Sequence, residues 1–172
     1  MFTRSKTALA FAASLLAAVP AMAAPVGVGT PPPGRALILV PLTLTKVQDI
    51  HFGSIVPSMT TAGWVKIDAV TGARTASAGL TLLPTDVGQR GQFAGAGTPN
   101  QQVIMSLTPP TDLTNPAGDT LTVLTMSLDG PTTRTIGANH SFFVGVGGII
   151  FVGIDQPEGL YSATYDLTAD YQ

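Results

Sequence analysis

The chain has 172 residues, among them 19 glycines and 14 prolines; 45% are hydrophobic, only 10% are charged, the formal charge is −2 and there is no cysteine. Charged residues make up about a quarter of an ordinary soluble domain, so this composition excludes a charged disordered tail, argues against a helical bundle and favours short strands and turns. Without cysteine there is no disulfide framework, thiolate nucleophile or Cys-ligated metal, and the charge gives no electrostatic case for a nucleic-acid partner.

Residues 1–23 read as a secretory signal peptide. Arg4 and Lys6 supply a positive start, residues 8–19 an apolar stretch, and Ala21-Met22-Ala23 an A-x-A cleavage pattern, with Pro20 breaking the chain before it. The apolar stretch falls short of the roughly 20 residues that span a bilayer, and no later segment is long and apolar enough to compete. The expected mature chain is residues 24–172 in one domain, and loss of Arg4 and Lys6 takes its formal charge from −2 to −4. Export into an oxidising compartment would permit disulfides, so a chain without them rests on burial and backbone pairing.

Residues 24–34, APVGVGTPPPG, carry no helical pattern and read as a flexible Pro/Gly arm, extended at prolines 31–33. From Arg35 the sequence turns to large apolar and β-branched residues, and Leu42, Leu44 and Lys46 alternate imperfectly with Thr43, Thr45 and Val47. Pro41 cannot donate to a ladder and marks a strand edge or a bulge. Residues 64–68 and 73–77 flank a Val70-Thr71-Gly72 turn and predict a hairpin. Further strands are expected at residues 92–95, 102–107, 121–128 and 142–152, separated by turn-rich stretches at 108–112 and 115–119.

In residues 161–171 every odd position is apolar or aromatic and every even one polar. This pattern predicts one strand, opening after Gly159, with Tyr161, Ala163, Tyr165, Leu167, Ala169 and Tyr171 turned inward. About seven to nine short strands with no helical period predict an all-β, antiparallel, immunoglobulin-like sandwich over residues 35–172. A jelly roll or small barrel is the competing architecture.

An enzyme needs converging groups, and the candidates are few. His51 and His140 are the only histidines. Alternation through Asp49-Ile50-His51-Phe52-Gly53 turns His51 away from Ile50 and Phe52, the position of a solvent-facing strand histidine. A triad of Asp49, His51 and Ser54 can be drawn, but nothing marks Ser54 as an activated nucleophile. His140 follows Gly137-Ala138-Asn139 and reads as a turn residue, and Asn139-His140-Ser141 fits a glycosylation sequon.

Two separate histidines cannot supply a three-ligand zinc site. Asp112, Asn115 and Asp119 form an oxygen-rich loop for which surface calcium binding is one reading; they lack the spacing of a calcium hand, and solvated turn chemistry accounts for them better. Gly145, Gly147 and Gly148 lack the Lys and Ser/Thr of a phosphate loop and mark a place where another backbone comes close. No catalytic residue, cofactor or metal is expected.

Pro41-Leu42-Thr43-Leu44-Thr45-Lys46, Asp49-Ile50-His51-Phe52-Gly53-Ser54-Ile55 and Ile67-Asp68-Ala69-Val70-Thr71-Gly72-Ala73-Arg74 resemble the bacterial secreted family called domain of unknown function 4402. The ending from Gly153-Ile154-Asp155-Gln156-Pro157-Glu158-Gly159-Leu160-Tyr161 to Tyr171-Gln172 resembles the last hairpin of the same family. The resemblance spans most of the mature chain, is weakest over residues 84–135, and brings no established activity.

More loosely, Tyr171 as the penultimate residue and Gly159 as the fourteenth from the end resemble the subunits of chaperone–usher pili and spore-coat-U-like proteins. That resemblance implies an incomplete sandwich whose open edge is filled first by a periplasmic chaperone and then by the amino-terminal arm of the next subunit, through β-augmentation. It implies an assembly edge of Gly159, Tyr161, Ala163, Tyr165, Leu167, Ala169 and Tyr171, and a donor arm whose apolar knobs are Val26 and Val28, extended by residues 37–40.

The function so implied is that of a non-enzymatic, exported structural or surface subunit, pilin- or adhesin-like. It would work in the periplasm, at the cell surface or outside a Gram-negative cell, with like subunits and a chaperone as partners. The alternative is a self-contained sandwich that binds a carbohydrate or matrix ligand through loops at one end. Trp64, the single indole, is then a sugar platform rather than a core residue.

Overall fold

The structure is a computed structural model that describes residues 33–172 together with Gly27, Gly29 and Thr30; the expected signal peptide and the donor-arm residues Val26 and Val28 lie outside the described residues. Twelve strands follow in order: β1 (Thr43–Gln48), β2 (Ile55–Val56), β3 (Gly63–Ile67), β4 (Arg74–Ala76), β5 (Thr81–Leu82), β6 (Gly91–Ala96), β7 (Gln102–Thr108), β8 (Asp112–Thr114), β9 (Thr120–Leu128), β10 (Thr133–Thr135), β11 (Ser141–Val152) and β12 (Asp166–Tyr171). All lie in the compact unit formed by residues 38–172, and every pairing among them is antiparallel.

The axis of the fold is β11, whose sequence SFFVGVGGIIFV buries Phe142, Val144, Val146, Ile150 and Val152 on one face and leaves Phe143 and Phe151 outward. Such alternation is what a strand with a single buried face requires. Val146 pairs with both Gly91 of β6 and Leu128 of β9, and Gly148 with both Ile67 of β3 and Met126 of β9. A strand has two edges, so β9 runs along one of them while β6 and β3 follow each other along the opposite one. The large sheet is completed by β1 beside β6, β4 beside β3 and β8 beside β9.

Where β6 gives way to β3, the chain leaving β3 crosses β11 on the face opposite Val144 and Val146. A Cβ at Gly145 would lie 2.5 Å from the Ala69 carbonyl oxygen, and one at Gly147 only 2.8 Å from Ala69 Cα. The glycine run is therefore the place of close backbone approach that its sequence suggests. Arg90 secures the crossing by donating from Nη1 to the carbonyls of Ala69 and Val70.

Two apolar clusters sit on the buried face of β11. Val103, Met105, Ile136, Phe142 and Val144 form the first, and the second layer above them is the three-stranded sheet β10-β7-β12, which contributes Leu167, Ala169 and Tyr171. Val65, Leu121, Ile150 and Val152 form the second, covered by Phe52, Ile55, Leu80, Leu82, Leu113 and Tyr161 from β2, β5 and neighbouring segments. Full burial of one such Val or Ile contributes about 1.5–3 kcal/mol. Two antiparallel layers enclosing these clusters make an all-β sandwich.

The hairpin around Gly72 forms as β3 and β4, and the strands expected at 92–95, 102–107, 121–128 and 142–152 appear as β6, β7, β9 and β11. The imperfect alternation near Lys46 reflects a bulge, since the β1–β6 register shifts between Lys46 and Gln48. The expected single strand over residues 161–171 is corrected: β12 begins only at Asp166, and before it Ser162 alone forms a bridge, to Thr114. Ala163 is exposed rather than inward. Gly159 does not open the strand; it has φ +155°, and a Cβ there would lie 2.9 Å from Asn115 Nδ2. The physical reason is that alternation specifies which side a residue faces, whereas a strand also needs a neighbour to pair with, and among the described residues 163–165 have none.

Candidate functional site

The carboxy-terminal strand has one paired and one open edge. Gln172 N–H donates to the Gln102 carbonyl at 3.0 Å, so the antiparallel ladder places the backbone groups of residues 166, 168, 170 and 172 toward β7. Leu167, Ala169 and Tyr171 therefore point their N–H and C=O groups to the opposite edge, where among the described residues no strand pairs with β12. Their side chains pack on the first cluster. An unpaired edge of this kind is a template for another strand.

Beyond the start of β12 this edge opens into a groove of about 750 Å³ between residues 50–57 and residues 156–165. Its floor is apolar, built by Leu121, Val123 and Met126 of β9 and by Ile150 and Val152 of β11. Phe52 and Ile55 form one wall, and Tyr161, Ala163 and Tyr165 belong to the other. Among the described residues, Ser162 is the only one between 157 and 165 that takes part in a backbone–backbone hydrogen bond. The wall formed by residues 157–165 is thus held to the rest of the second layer by few backbone bonds.

Tyr165 lines the groove but buries its polar end beneath it. Its hydroxyl is buried with no hydrogen-bond partner, while its ring meets Phe93 edge-on at 6.2 Å between centroids. Burial first, and then the negative charge of Asp49, push the Tyr165 hydroxyl pKa up to about 12. A buried polar group left unpaired costs about 1–3 kcal/mol; this one has no accessible surface and lies against β6, where a Cβ on Gly91 would be 2.7 Å from it.

The rim is polar. Ser54 Oγ donates to Asp86 Oδ2 at 2.7 Å, and His51 Nδ1 lies 3.4 Å from Asp86 Oδ1. Arg74 donates to the carbonyls of Phe52 and Ser54 from Nη1 and to that of Leu83 from Nη2. The Ser54 hydrogen bond, helped by the charges of His51 and Arg74, holds the Asp86 carboxyl below its usual range against the opposing effect of desolvation. Ser54 is bonded to the carboxylate and not to the histidine, and Asp49 turns instead to Lys46 at 2.7 Å. The arrangement staples residues 51–54 to the loop at 83–86; it does not assemble the triad that Asp49, His51 and Ser54 could have suggested.

Of the assembly-edge residues, Tyr161, Ala163 and Tyr165 line the groove together with Gly159, whereas Leu167, Ala169 and Tyr171 continue the open edge along β12. Gln156 Nε2 donates to the Thr120 carbonyl and to the Tyr161 hydroxyl, each at 3.0 Å, and Tyr161 in turn donates to the Pro157 carbonyl at 2.7 Å, which fixes the groove's outer wall. Asn115 and Asp119 bond to each other across a turn, Nδ2 to Oδ2 at 2.9 Å, so their oxygens serve the β8–β9 connection. Among the described residues no three His, Asp or Glu side chains converge as metal ligands. No helix among them is long and apolar enough to cross a membrane.

Sequence reasoning missed Asp86 and the orphaned hydroxyl of Tyr165, which depend on contacts between segments distant in the chain. Trp64, expected in the first strand of the hairpin, stands on the outer face of β3, 40% exposed, directly across from Phe151 of β11.

A two-layered antiparallel sandwich with an open carboxy-terminal edge defines the class of protein. Within that class, residues 42–171 match the model of the family described as Domain of unknown function (DUF4402), and the chain belongs to that family. No curated protein and no solved structure matches it.

Proposed function

We propose that the chain is a non-enzymatic, exported structural or surface subunit that joins other molecules by accepting a β-strand. The observation that supports this reading is the apolar groove between residues 50–57 and 156–165, whose second wall carries backbone that is unpaired apart from Ser162 and whose floor includes Leu121, Ile150 and Val152 of the second apolar cluster. An added strand would gain roughly 0.5–1.5 kcal/mol for each net hydrogen bond and would cover apolar side chains that now face the groove. Like subunits are the proposed permanent partners and a periplasmic chaperone the transient one, with the periplasm or cell surface as the place of action.

The test is the state of the purified mature chain. The reading expects oligomers that survive detergent and dissociate on heating. A monomer at every concentration, with an edge of β12 that binds no peptide, would remove it.

A second reading rests on the outward pair Trp64 and Phe151, two half-exposed rings on adjacent strands. Aromatic faces stack against the C–H faces of sugars, so this patch suits a carbohydrate ligand. Glycan-array binding lost in Trp64→Ala, with the fold intact, would favour it.

A further inference from the structure

We infer that β1 and β12 of one chain zip together along their free edges, and that this closure excludes an entering strand; the inference rests on the strand-accepting reading above and names what regulates it. β1 ends the large sheet and β12 ends the small one, and among the described residues each is paired along one edge alone. Three features match the two free edges to each other.

The first is backbone direction. Gly97 N–H donates to the His140 carbonyl at 3.0 Å, one residue beyond the Ala96–Ser141 pair. Hydrogen-bonded pairs recur at every second residue of an antiparallel ladder, so Phe93 and Gly95 turn their backbone groups to β11, and Ala94 and Ala96 turn theirs to β1. Thr43 and Thr45, opposite Ala96 and Ala94, therefore bond within the sheet, while Leu44, opposite Gly95, points its N–H and C=O to the free edge. The alternation carries to Leu42. On β12 the free groups are those of Leu167, Ala169 and Tyr171.

The second is side-chain direction. Leu42, Leu44, Leu167 and Ala169 all pack on the first cluster, whereas Thr43, Thr45, Asp166 and Thr168 are exposed. The residues with free backbone groups thus share the apolar face on both strands, the agreement that strand pairing over a core requires.

The third is sense and register. The Tyr171 hydroxyl donates to the Val40 carbonyl, so the start of β1 lies beside the end of β12. Residues 50–57, which follow β1, face residues 156–165, which precede β12, across the groove. The strands are therefore antiparallel. With Val40 opposite Tyr171, Leu42 meets Ala169 and Leu44 meets Leu167, each pair bringing together backbone groups that point at one another. The bulge after Lys46 ends the ladder.

The seam is already narrow. At their closest the two strands come within 8 Å, Cα to Cα. A hydrogen-bonded pair lies at about 5.5 Å, and a strand inserted between two others holds them about 10 Å apart. Closing is the smaller movement, hinged at the Val40–Tyr171 clasp, whereas a strand running the length of β12 has to spread the seam from the groove end. So short a ladder opens and recloses, and the edge amides of the dilute chain still reach solvent. While it is closed, β1 holds the backbone groups that an entering strand would take.

The chain has no cysteine, so introduced pairs report the seam. In the closed register Thr43 and Thr168 stand opposite each other at a non-hydrogen-bonded position, where Cα atoms lie about 4.5 Å apart, within the reach of a disulfide. Thr43→Cys/Thr168→Cys in the mature chain, residues 24–172, is compared with Thr45→Cys/Asp170→Cys, whose positions stand four residues out of register. All four side chains are exposed, so circular dichroism of the reduced variants should stay that of the parent. In oxidised glutathione the in-register pair should close an intramolecular disulfide at least tenfold faster than the other. Sedimentation velocity should then show the oxidised chain associating at least tenfold more weakly than the parent, and the reduced chain associating like it.

Disulfide formation no faster than in the out-of-register variant would overturn the inference, and assembly of the parent would leave strand acceptance standing. Rapid formation by a chain that assembles like the parent once oxidised would also overturn it, since a closed seam would then exclude nothing. A parent that stays monomeric at every concentration removes the strand-accepting reading, and the inferred exclusion falls with it.

Discussion

Tyr171 and Val40 are joined by a hydrogen bond of 2.7 Å from the tyrosine hydroxyl to the valine carbonyl, although 131 positions separate them in the chain. The same hydroxyl accepts the Thr98 N–H at 2.7 Å. The penultimate tyrosine thus clasps the entry to β1, the β6–β7 connection and the end of β12, while its ring packs on the first cluster. Tyr171→Phe keeps the ring and takes the acceptor from the part-buried Thr98 N–H, which costs about 1–3 kcal/mol, while the exposed Val40 carbonyl turns to water. Urea denaturation should show that loss, with faster hydrogen exchange at the Thr98 amide; stability and exchange equal to the parent would contradict the clasp.

Gly147 is the described glycine of the large sheet that another stretch of backbone approaches most closely. A methyl group there would press on the Ile67 carbonyl and on Ala69 N and Cα, which are backbone atoms that cannot step aside. Gly147→Ala should therefore cost about 1–3 kcal/mol or more, the range for overpacking. Calorimetry checks it, and an unchanged melting temperature would mean that the crossing of residues 68–69 over β11 is misplaced.

Tyr165→Phe should behave in the opposite way. The buried hydroxyl has no partner to lose, so its removal is expected to leave the isolated chain within about 0.5 kcal/mol of the parent or to stabilise it. The hydroxyl has no accessible surface and lies against Gly91 of β6 rather than in the groove, so assembly should be unchanged. Parallel denaturation and sedimentation measurements decide this, and a large loss of monomer stability would show that the hydroxyl is already satisfied.

Acid should loosen the rim of the groove through Asp86. Its carboxyl pKa is lowered in the folded chain, first by the Ser54 hydroxyl. A lowered folded pKa contributes stability above the unfolded carboxylate pKa, and that contribution fades as pH falls through the folded value. Ser54→Ala removes the largest cause, so the Asp86 midpoint followed by carboxyl carbon NMR should move up toward the usual carboxylate range. An unmoved midpoint would assign the shift to another group.

The alternation of β11 was legible because its buried residues face one continuous core, and the β3–β4 hairpin because its turn is written locally in Val70-Thr71-Gly72. The two- and three-residue strands β2, β5, β8 and β10 were not, since a strand that short is defined by its partner and not by its own pattern. Residues 161–165 show the same limit from the other side: their alternation is as good as that of β12, but nothing pairs beside them. The rim was illegible because Ser54 and Asp86 meet across 32 positions. The face that Trp64 takes was not legible because a lone tryptophan is usually core, whereas here the neighbouring Val65 takes the buried side of β3.

The central claim, that the open edge and groove accept a strand, is tested most directly by hydrogen exchange over residues 161–171 as a function of protein concentration. Those of Ala163, Tyr165, Leu167 and Ala169 that pair with the entering strand should exchange rapidly in dilute chain and become protected as copies assemble, with amides facing β7 such as Asp170 protected throughout. Identical exchange at all four positions across the whole concentration range would contradict the account.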